Sequence, residues 1–348
     1  MNTIYDFTLE QLEGFVVDTL GLKKYRAKQI FSWLYKKRVV EFDTMSDVDH
    51  KTLGYFKQEF IIDPLILVKK QESKDGTIKY LFKLQDGALI ETVLMSFSYG
   101  KSVCVTSQVG CNMGCKFCAS GLLKKQRNLT AGEIVAQIMY VQRYLDEKEE
   151  RVSNIVVMGT GEPFDNYDHV MNFCRIVNHD LGLAIGARHI TISTCGIVPK
   201  IRQFAKEKTQ FNLAISLHAA NDALRSELMP INQGYNLKEL ISALKEYSTL
   251  NNRRITFEYI LLKDVNDSKD DAKQLAKLIS GMNAYVNLIP YNAVSEHGYQ
   301  GVSDIEALRF YDALMKLNVK ATLRARQGDD IDAACGQLRA NYKNGEQT

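Results

Sequence analysis

The chain has 348 residues, 45% of them hydrophobic and 24% charged, and a net charge of only +3, values typical of a globular protein. It contains no run of about eighteen apolar residues and no basic, apolar leader at its start, so we expect a cytoplasmic protein without a membrane span. Seven cysteines in a chain of this length do not suggest a disulfide scaffold, and in a reducing compartment clustered cysteines indicate metal binding or catalysis.

The start of the chain predicts a small helical domain. Thr8 and Gln11 form a capping-box pattern, and the apolar residues that follow keep helical spacing as far as Leu20. Gly21 is expected to end this helix, because glycine readily adopts the left-handed conformation found at helix ends. We therefore assign residues 1–65 to an N-terminal accessory domain.

A second amphipathic helix is expected from Tyr25 to about Lys37, within a stretch, residues 21–40, that contains no acidic residue. Such a cluster can neutralise RNA phosphates, although a solvated helix face explains it equally well. A smaller basic group follows later in the chain. The basic residues are Lys23, Lys24, Arg26, Lys28, Lys36, Lys37 and Arg38 in the first group, and Lys124, Lys125 and Arg127 in the second.

The pattern changes between residues 66 and 97 to short alternating apolar runs. Asp75-Gly76 and Asp86-Gly87 interrupt these runs with dipeptides that favour tight turns between antiparallel strands. We predict a β-hairpin linker extension over residues 66–97.

Residues 98–330 alternate between strand and helix patterns. This periodicity indicates a parallel α/β sheet, and six units of it favour a full or partial TIM-type barrel, although an open doubly wound sheet gives the same pattern. Residues 331–348 form a C-terminal segment. The expected strands are 103–105, 155–158, 189–193, 211–217, 255–262, 286–289 and 321–326.

The strongest chemical signal is a cysteine triplet, Cys111, Cys115 and Cys118. Three thiolates at this spacing allow one loop to surround a compact metal centre, and Gly110 and Gly114 relax its backbone. A structural zinc site usually takes four ligands in two separated pairs, and the sequence has no second Cys-x-x-Cys pair. Three cysteines instead suit a four-iron cluster that leaves one iron open.

This triplet, with Phe117 before its last cysteine, resembles the signature of the radical S-adenosylmethionine (SAM) superfamily. The resemblance implies a partial TIM-type barrel and one 4Fe-4S cluster per chain, whose open iron is chelated by the amino and carboxylate groups of SAM. In that superfamily a loop after the second barrel strand holds the SAM amino group, and here Gly161 and Glu162 match it. A carboxylate has a physical reason to lie there, because an ammonium group needs an acceptor.

Further motifs resemble one subfamily, the RlmN/Cfr family of RNA methyltransferases, over about residues 20–342. The most specific is the segment from Gly328 to Leu338, which contains Cys335. Most of the motifs follow predicted strands at their carboxyl ends, where barrel enzymes place their active sites. The other motifs are Ile90-Glu91-Thr92-Val93, the run from Cys104 to Cys111, Ile192-Ser193-Thr194, Ser216-Leu217-His218, and the run from Asn287 to Asn292.

The resemblance implies covalent catalysis, because an adenine C–H carbon is not a nucleophile and cannot take a methyl group directly from SAM. Cys335 would carry the methyl group as S-methylcysteine, and Glu91 would remove the ring proton. Cys104 would form a transient disulfide with Cys335 that releases the product, and two SAM molecules would be used per turnover. By themselves, the two cysteines are typical of buried thiols and Glu91 of a solvent-facing strand acid.

The remaining implied roles concern SAM. Ser193 and Asn292 would hydrogen-bond its ribose or carboxylate. Ser216, Leu217 and His218 would line its pocket, with His218 acting as neither acid nor base. The two other cysteines, interpreted as structural, are Cys174 and Cys195, the latter close to the SAM-binding strand.

The resemblance also implies the partners. The substrates would be adenine 2503 of 23S rRNA, in the peptidyl-transferase centre, and adenine 37 of tRNA, both methylated at carbon 2. The enzyme would be a monomer that takes electrons from a donor such as flavodoxin or ferredoxin. Extruding the base from folded RNA is the usual way to present it to a buried site.

Three alternatives stay open. Cfr-type methylation of carbon 8 is the nearest, and Pro163 and the Gly328-Asp329-Asp330 start of the last motif favour carbon 2 over it. A metal-stabilised RNA-binding protein without catalysis belongs to another class. A radical SAM enzyme that acts on a small molecule or peptide is the third.

Overall fold

The architecture is a barrel-like sheet with helices packed around it, joined to a helical N-terminal domain, in a computed structural model of the chain. In the part of the chain that the structure describes, no helix is long and apolar enough to cross a membrane. The residues that the structure describes are 2–292, 297–325, 327–328, 330–331, 338 and 342.

Strands and helices alternate along most of the chain. The strands are β1 (Asn2–Thr3), β2 (Phe60–Ile61), β3 (Ile66–Glu72), β4 (Ile78–Lys83), β5 (Leu89–Phe97), β6 (Gly100–Val105), β7 (Gln108–Val109), β8 (Arg127–Asn128), β9 (Val152–Val157), β10 (Ile190–Thr194), β11 (Asn212–Ser216), β12 (Ile255–Leu261), β13 (Ala284–Pro290) and β14 (Ala321–Leu323). The α-helices are α1 (Leu9–Gly14), α2 (Tyr25–Tyr35), α3 (His50–Glu59), α4 (Ala131–Asp146), α5 (Tyr167–Asn178), α6 (Val198–Ala205), α7 (Asp222–Leu228), α8 (Ile231–Gly234), α9 (Leu237–Asn251), α10 (Lys269–Leu278) and α11 (Asp304–Lys316).

Parallel strands form the barrel wall, in the order β6-β9-β10-β11-β12-β13-β14. At least one helix connects each of these strands to the next. Within the described residues, these six strand–helix units and their closing strand confirm the predicted partial TIM-type barrel. The strand order never reverses, which rules out the doubly wound alternative.

The predicted barrel strands are all present, with differences at their ends. β6 begins at Gly100 and β9 at Val152, earlier than residues 103 and 155. Their first residues include Ser102 and Asn154, which pair in register on the inner face of the wall. Polar residues at those positions hide the apolar alternation from which strands are predicted.

The predicted hairpin extension is also present, but it is not a separate module. β3, β4 and β5 form an antiparallel ladder, and β5 pairs antiparallel with β6. The extension and the barrel therefore belong to one ten-stranded sheet. β6 is the strand that the two parts share.

Two residues of the second basic group, Lys125 and Arg127, serve the fold. Arg127 donates hydrogen bonds to both carboxylate oxygens of Glu133, at 2.7 and 2.8 Å, and to Asp86 at 2.7 Å. Lys125 pairs with Asp165 at 2.6 Å. These side chains tie the hairpin turn and the barrel loops together, so they are poorly placed to neutralise RNA phosphates.

The N-terminal domain differs in detail from the predicted helix. The capping box of Thr8 and Gln11 is present, but α1 ends at Gly14 and the chain continues as a wider π-helical turn over Phe15–Thr19. Gly21 then adopts a left-handed φ of +63°. β1 pairs with β2, which brings the start and the end of this domain together.

The N-terminal domain meets the barrel at the start of α4. The Asp6 carboxylate accepts a hydrogen bond from the Gly132 backbone N–H at 2.7 Å, and an anion there also complements the helix dipole. Gly132 leaves no room for a side chain, because an added Cβ would lie 2.3 Å from Thr3 Cγ2 and 2.7 Å from the Asp6 nitrogen. The two domains therefore pack backbone against backbone at this point.

We expect Gly132→Ala to destabilise the protein, because the new methyl group would push the N-terminal segment away from α4. Overpacking of this kind costs about 1–3 kcal/mol of unfolding free energy. Urea unfolding followed by circular dichroism measures the free energy of unfolding of the whole protein. The fluorescence of Trp33, the only tryptophan in the sequence, reports the unfolding of the N-terminal domain.

The matched control is Gly54→Ala in α3, where an added Cβ meets no atom within 4 Å. This change should stabilise the protein by about 0.4–1 kcal/mol, since alanine restricts the unfolded chain. Equal effects of the two substitutions would contradict the packing argument.

Candidate active site

The cysteine triplet lies in a closed loop after β6. β7 pairs with β8 across the base of this loop, and the Cys111 backbone N–H donates to the Leu123 carbonyl at 2.9 Å. Gly110 has a φ of +82°, and a Cβ there would lie 2.2 Å from the Lys124 carbonyl oxygen. The loop thus requires glycine immediately before its first cysteine.

The three thiols have the chemistry of ligands for a cluster. Burial raises the pKa of Cys111 to about 11, and burial together with the neighbouring thiols raises the pKa of Cys115. Because only thiolates bind metal, positive charge has to come from a bound metal centre. Among the described residues, no three His, Cys, Asp or Glu side chains converge as a single ion would need. In a 4Fe-4S cluster each cysteine binds a different iron, so the three thiols of this loop would each hold one iron.

A second loop, after β9, packs against the cysteine loop. A Cβ on Gly159 would lie 2.7 Å from the Val105 carbonyl oxygen, and a Cβ on Gly161 would lie 2.6 Å from Gln108 Cβ. Gly161 also has a φ of +110°. Both positions therefore require glycine because the two loops approach each other closely, and not only because the chain turns there.

Glu162 is held in a fixed orientation beside this contact. Its two carboxylate oxygens accept backbone N–H groups from Phe164 at 2.9 Å and Cys195 at 2.7 Å. Burial raises the pKa of Glu162 despite these bonds. The Cys195 and Thr194 side chains also act on this carboxylate, and a carboxylate at this place is the acceptor that an ammonium group entering the site would need.

Polar side chains continue along the inner face of the barrel wall. Ser193 is the penultimate residue of β10 and Ser216 ends β11, and their hydroxyl oxygens are 3.5 Å apart. Ser216 lies opposite Glu258 in the β11–β12 register, and Glu258 lies opposite Asn287 on β13. This row places hydroxyl, carboxyl and amide groups side by side.

His218 is a buried neutral imidazole. Its Nδ1 accepts the Ile260 backbone N–H at 3.1 Å, and its ring meets Phe117 edge to face at 4.7 Å. Burial, with the nearby Arg225 guanidinium, lowers the pKa of His218 to about 3. The ring can line a pocket, but near neutral pH it does not carry the second proton that would make it a general acid.

These residues surround one cavity of about 350 Å³. Asn292 lies on its rim, whereas the Leu217 side chain is packed in the hydrophobic core. Cys195, interpreted from the sequence as structural, is also part of the lining. The predicted site residues that line the cavity are Cys111, Cys115, Cys118, Gly161, Glu162, Ser193, Ser216, His218 and Asn292.

Glu91 and Cys104 lie together on a neighbouring surface, outside this lining. Val93 lies opposite Cys104 in the β5–β6 register, and Glu91 is two residues along the same strand, so Glu91 and Cys104 share a face. Glu91 is buried, whereas an acidic residue in a strand is expected to face solvent. Its Oε2 is 3.0 Å from Lys79 Nζ. We call the face that carries Lys79, Glu91 and Cys104 the extension face.

Residues on both sides of Cys335 contact the hairpin extension. The Gly328 N–H donates to Asp75 Oδ2 at 2.8 Å, and Asp330 accepts from Ser73 Oγ and from the Lys74 N–H. Further on, Leu338 packs with Leu81 and Leu89, and Leu81 lies opposite Glu91 in the β4–β5 register. Cys335 itself lies outside the described residues.

Sequence reasoning missed two buried charged residues at the site. Glu258 lines the cavity from the middle of β12, and Arg225 is only 1% exposed. The Arg225 guanidinium donates to the Cys195 carbonyl at 2.7 Å and to Asn232 Oδ1 at 2.7 Å. The sequence signal for Glu258 was a carboxylate inside an otherwise apolar barrel strand, whereas Arg225 had none, because its helix has an ordinary polar composition.

Comparisons with known proteins agree with this geometry. The family model described as the radical SAM superfamily matches residues 105–279, and the model described as the ribosomal RNA large subunit methyltransferase N-terminal domain matches residues 2–62. A solved structure, a radical SAM methyltransferase from Sphaerobacter thermophilus, is 43% identical with a TM-score of 0.92, and the match covers 97% of this chain and 99% of that one.

Relatives named probable dual-specificity RNA methyltransferase RlmN match over nearly the whole length. The protein from Spiroplasma citri is 55% identical over 98% of this chain and 98% of its own, and the protein from Enterococcus faecalis is 56% identical over 97% and 96%. With a partial barrel of parallel strands, a loop of three cysteines beside its cavity and similarity of this extent, the chain belongs to the radical SAM superfamily and, within it, to the RlmN family.

Proposed function

We propose that this protein is a radical SAM methyltransferase that methylates carbon 2 of adenine 2503 in 23S rRNA and of adenine 37 in tRNA. The observation that carries the proposal is the presence of two adjoining surfaces. One is a cavity lined by the cysteine loop and Glu162, and the other is the extension face, on the hairpin extension that residues on both sides of Cys335 contact. The names of the relatives, which specify RNA methyltransferases with dual specificity, support the substrate class.

In the cavity, Cys111, Cys115 and Cys118 would hold one 4Fe-4S cluster per chain. Gly161 and Glu162 would hold the SAM ammonium group, while Ser193, Ser216 and Asn292 are placed to hydrogen-bond the rest of the molecule. When bound, the cluster and SAM supply a radical that can remove hydrogen from a methyl group, and two SAM molecules would serve each turnover. His218, neutral at physiological pH, would exclude water without exchanging protons.

On the extension face, Cys335 would carry the methyl group and Cys104 would form the transient disulfide that releases the product. The contacts of residues on both sides of Cys335 support this role. Gly328 and Asp330 are bound at the turn between β3 and β4, and Leu338 packs against β4 and β5, the strand that carries Glu91. Cys104 is buried and lies on β6, the strand shared with the barrel wall. The proposed thiol pair would thus work beside the cavity.

Glu91 would accept the adenine ring proton. The Lys79 ammonium, 1% exposed and 3.0 Å away, supports this role, since the ion pair holds the carboxylate in a fixed position on the extension face. A buried pair of this kind is costly to maintain and is weak evidence for stability alone. A role of Glu91 in accepting a proton would account for this buried ion pair.

RNA docking would involve α2 of the N-terminal domain. Tyr25, Lys28 and Lys36 lie on one side of this helix and are exposed, opposite the buried face that contains Ile30 and Leu34. Within the described residues, Lys28 and Lys36 form no ion pair, whereas Lys24 pairs with Glu13 at 3.0 Å. Cations without an internal partner are available to phosphates.

We expect Cys104→Ala to trap a covalent complex between the protein and its RNA, because the disulfide that releases the product could not form. The complex should survive denaturing electrophoresis with labelled RNA, and peptide mass spectrometry should locate the adduct at Cys335. Cys174→Ala is the matched control, since Cys174 is buried in α5 at a distance from both surfaces. Normal turnover without any adduct in Cys104→Ala would refute the proposed role.

The methylated nucleoside should be 2-methyladenosine. RNA treated with the reconstituted enzyme can be digested and analysed by mass spectrometry against both isomers. The reason for this expectation is the 55–56% identity to RlmN relatives. Finding 8-methyladenosine would establish the Cfr-type alternative, and finding no modified base despite tight RNA binding would favour a non-catalytic binding protein.

Reversing Lys23, Lys28 and Lys36 to Glu should weaken RNA binding by at least roughly tenfold and reduce its salt dependence, because phosphate contacts would be lost. Reductive cleavage of SAM should be unaffected. The control reverses Lys238, Lys245 and Lys277, exposed lysines on α9 and α10. Filter-binding measurements at several salt concentrations decide the matter, and equal RNA affinities for the two triple variants would rule out docking through α2.

A further inference from the structure

Gln137 is a fully buried amide in the middle of α4 that no role above uses. Its Oε1 accepts hydrogen bonds from the Thr106 backbone N–H and from the Thr92 hydroxyl, both at 2.9 Å. Its Nε2 donates to the Thr106 carbonyl at 3.0 Å and to the Glu133 carbonyl at 3.3 Å. A buried polar group is costly unless its bonds are complete, and a complete set holds its partners in one arrangement. The bonds of Gln137 therefore indicate a positioning role.

Thr106 is the residue that Gln137 holds, and it lies just beyond the end of β6. The Gln137 amide binds both the N–H and the carbonyl of Thr106, as a neighbouring strand would, so Thr106 is fixed although the ladder has ended. The Thr106 hydroxyl donates to the Glu91 carbonyl at 2.6 Å and accepts the Thr160 backbone N–H at 3.3 Å. One hydroxyl thus joins β5, which carries the proposed base, to the loop that carries Glu162.

Thr160 extends this network to the cysteine loop. Its hydroxyl is 3.3 Å from the hydroxyl of Ser120, two residues after Cys118, and both side chains are buried. In the other direction along the chain, Thr160 directly precedes Gly161 and Glu162, the pair proposed to hold the ammonium group. The network therefore runs without interruption from β5 to the two loops that would hold the cluster and SAM.

The proposed reaction requires a fixed distance between the extension face and the cavity. A hydrogen atom would leave the methyl group on Cys335 and end on 5′-deoxyadenosine in the cavity, so that one C–H bond breaks as another forms. Reacting atoms have to lie about 3–3.5 Å apart, and a misplacement of about 1 Å can cost on the order of 100-fold in rate. The backbone ladder joins β5 to β6 only as far as Val105, whereas the cavity loops begin beyond it.

We propose that Gln137, acting through Thr106, is a positioning residue that holds the extension face at its working distance from the cavity. This inference rests on the proposed function, in which a methyl group on Cys335 gives up hydrogen to the SAM that is cleaved in the cavity. Both side chains are fully buried, so they act through the groups that they hold. Removing the network leaves SAM cleavage intact, but the hydrogen atom then comes from other donors.

The test follows the hydrogen atom. Anaerobically reconstituted protein is given a reductant, a tRNA transcript and SAM with a deuterated methyl group, so that Cys335 would carry the label. Wild-type protein should transfer deuterium to 5′-deoxyadenosine. Gln137→Met, which nearly keeps the side-chain volume but has neither amide group, should transfer little. Methylation of the transcript should fall roughly 10- to 100-fold, the cost of a misplacement on the order of 1 Å.

Thr106 provides a second pair of variants. Thr106→Val removes the bridging hydroxyl and leaves the backbone bonds to Gln137 in place, so it should lower deuterium transfer in the same way. Thr106→Ser retains the hydroxyl and should restore the transfer. Rescue by serine separates the loss of one hydrogen-bonded bridge from a general loss of packing.

Gln142→Met is the matched control, because Gln142 is a second buried amide of α4. Its side chain accepts the Val152 N–H at 2.9 Å and donates to the Glu150 carbonyl at 3.2 Å and to Asp146 at 2.8 Å. These bonds lie at the start of β9, at the opposite end of the barrel wall. Gln142→Met should lower the melting temperature about as much as Gln137→Met, but it should leave deuterium transfer unchanged.

Hydrogen exchange gives a readout that does not depend on activity. In reconstituted protein without RNA, the Thr106 and Thr160 amides should exchange faster in Gln137→Met than in the wild type or in Gln142→Met. Calorimetric titration with S-adenosylhomocysteine should give the same affinity in all three proteins, because Glu162 keeps its own backbone hydrogen bonds.

Other results overturn the inference in distinguishable ways. Wild-type deuterium transfer in both Gln137→Met and Thr106→Val would show that the bridge does not set the distance. An equal loss in Gln142→Met would assign the effect to stability, and weaker S-adenosylhomocysteine binding in Gln137→Met would assign it to the cavity. Wild-type protein that cleaves SAM but never transfers deuterium would remove the proposed function itself, and this inference with it.

Discussion

The site depends on one close contact between backbones, formed where the loops after β6 and β9 meet. The N–H groups of Ser107 and Gln108 both donate to the Thr160 carbonyl, at 3.0 and 3.1 Å, and the Gly159 N–H donates to Val105 at 3.0 Å. Because Gly159 has no side chain, the two chains can approach this closely. The cysteine loop and the carboxylate of Glu162 are therefore parts of one rigid unit, which is the condition for presenting a cluster and an ammonium acceptor at a fixed separation.

Charge inside the barrel follows from what the cavity would hold. Glu162 and Glu258 are buried carboxyls whose pKa values are raised by burial, and Arg225 is a buried guanidinium whose pKa is lowered. Burying charged groups of this kind opposes stability unless partners compensate for the lost hydration. A bound cluster and SAM would provide complementary charges and donors, so ligand binding should offset what the fold loses by burying these groups. This coupling explains why polar residues accumulate at the carboxyl ends of the strands, while the outer face of the wall is apolar.

The sequence was sufficient to predict the barrel and most of the cavity lining, because each depends on local signals. Alternating strands and helices gave the barrel, and motifs such as the Gly161-Glu162 loop follow individual strands. Features that depend on contacts between distant residues were missed. Glu91 is buried because Lys79, on the neighbouring strand, forms an ion pair with it. Arg127 is unavailable to RNA because it forms ion pairs with Asp86 and Glu133. No local pattern reports such partners, since register and side-chain pairing are set by tertiary structure.

β6 connects the two halves of the proposed reaction. One edge of this strand pairs with β9 of the barrel wall, and the other pairs with β5 of the extension, so Cys104 on β6 belongs to both. The Arg324 side chain, which lines the cavity, reaches Met95 on β5 at 3.3 Å and brings the end of the barrel to the extension. A barrel alone can bind a cluster and SAM, but methyl transfer through a protein thiol needs a second surface with a base and a resolving cysteine. In the proposed reaction, the antiparallel strands added to the first barrel strand would provide that surface, at a distance fixed by the backbone hydrogen bonds of the shared sheet.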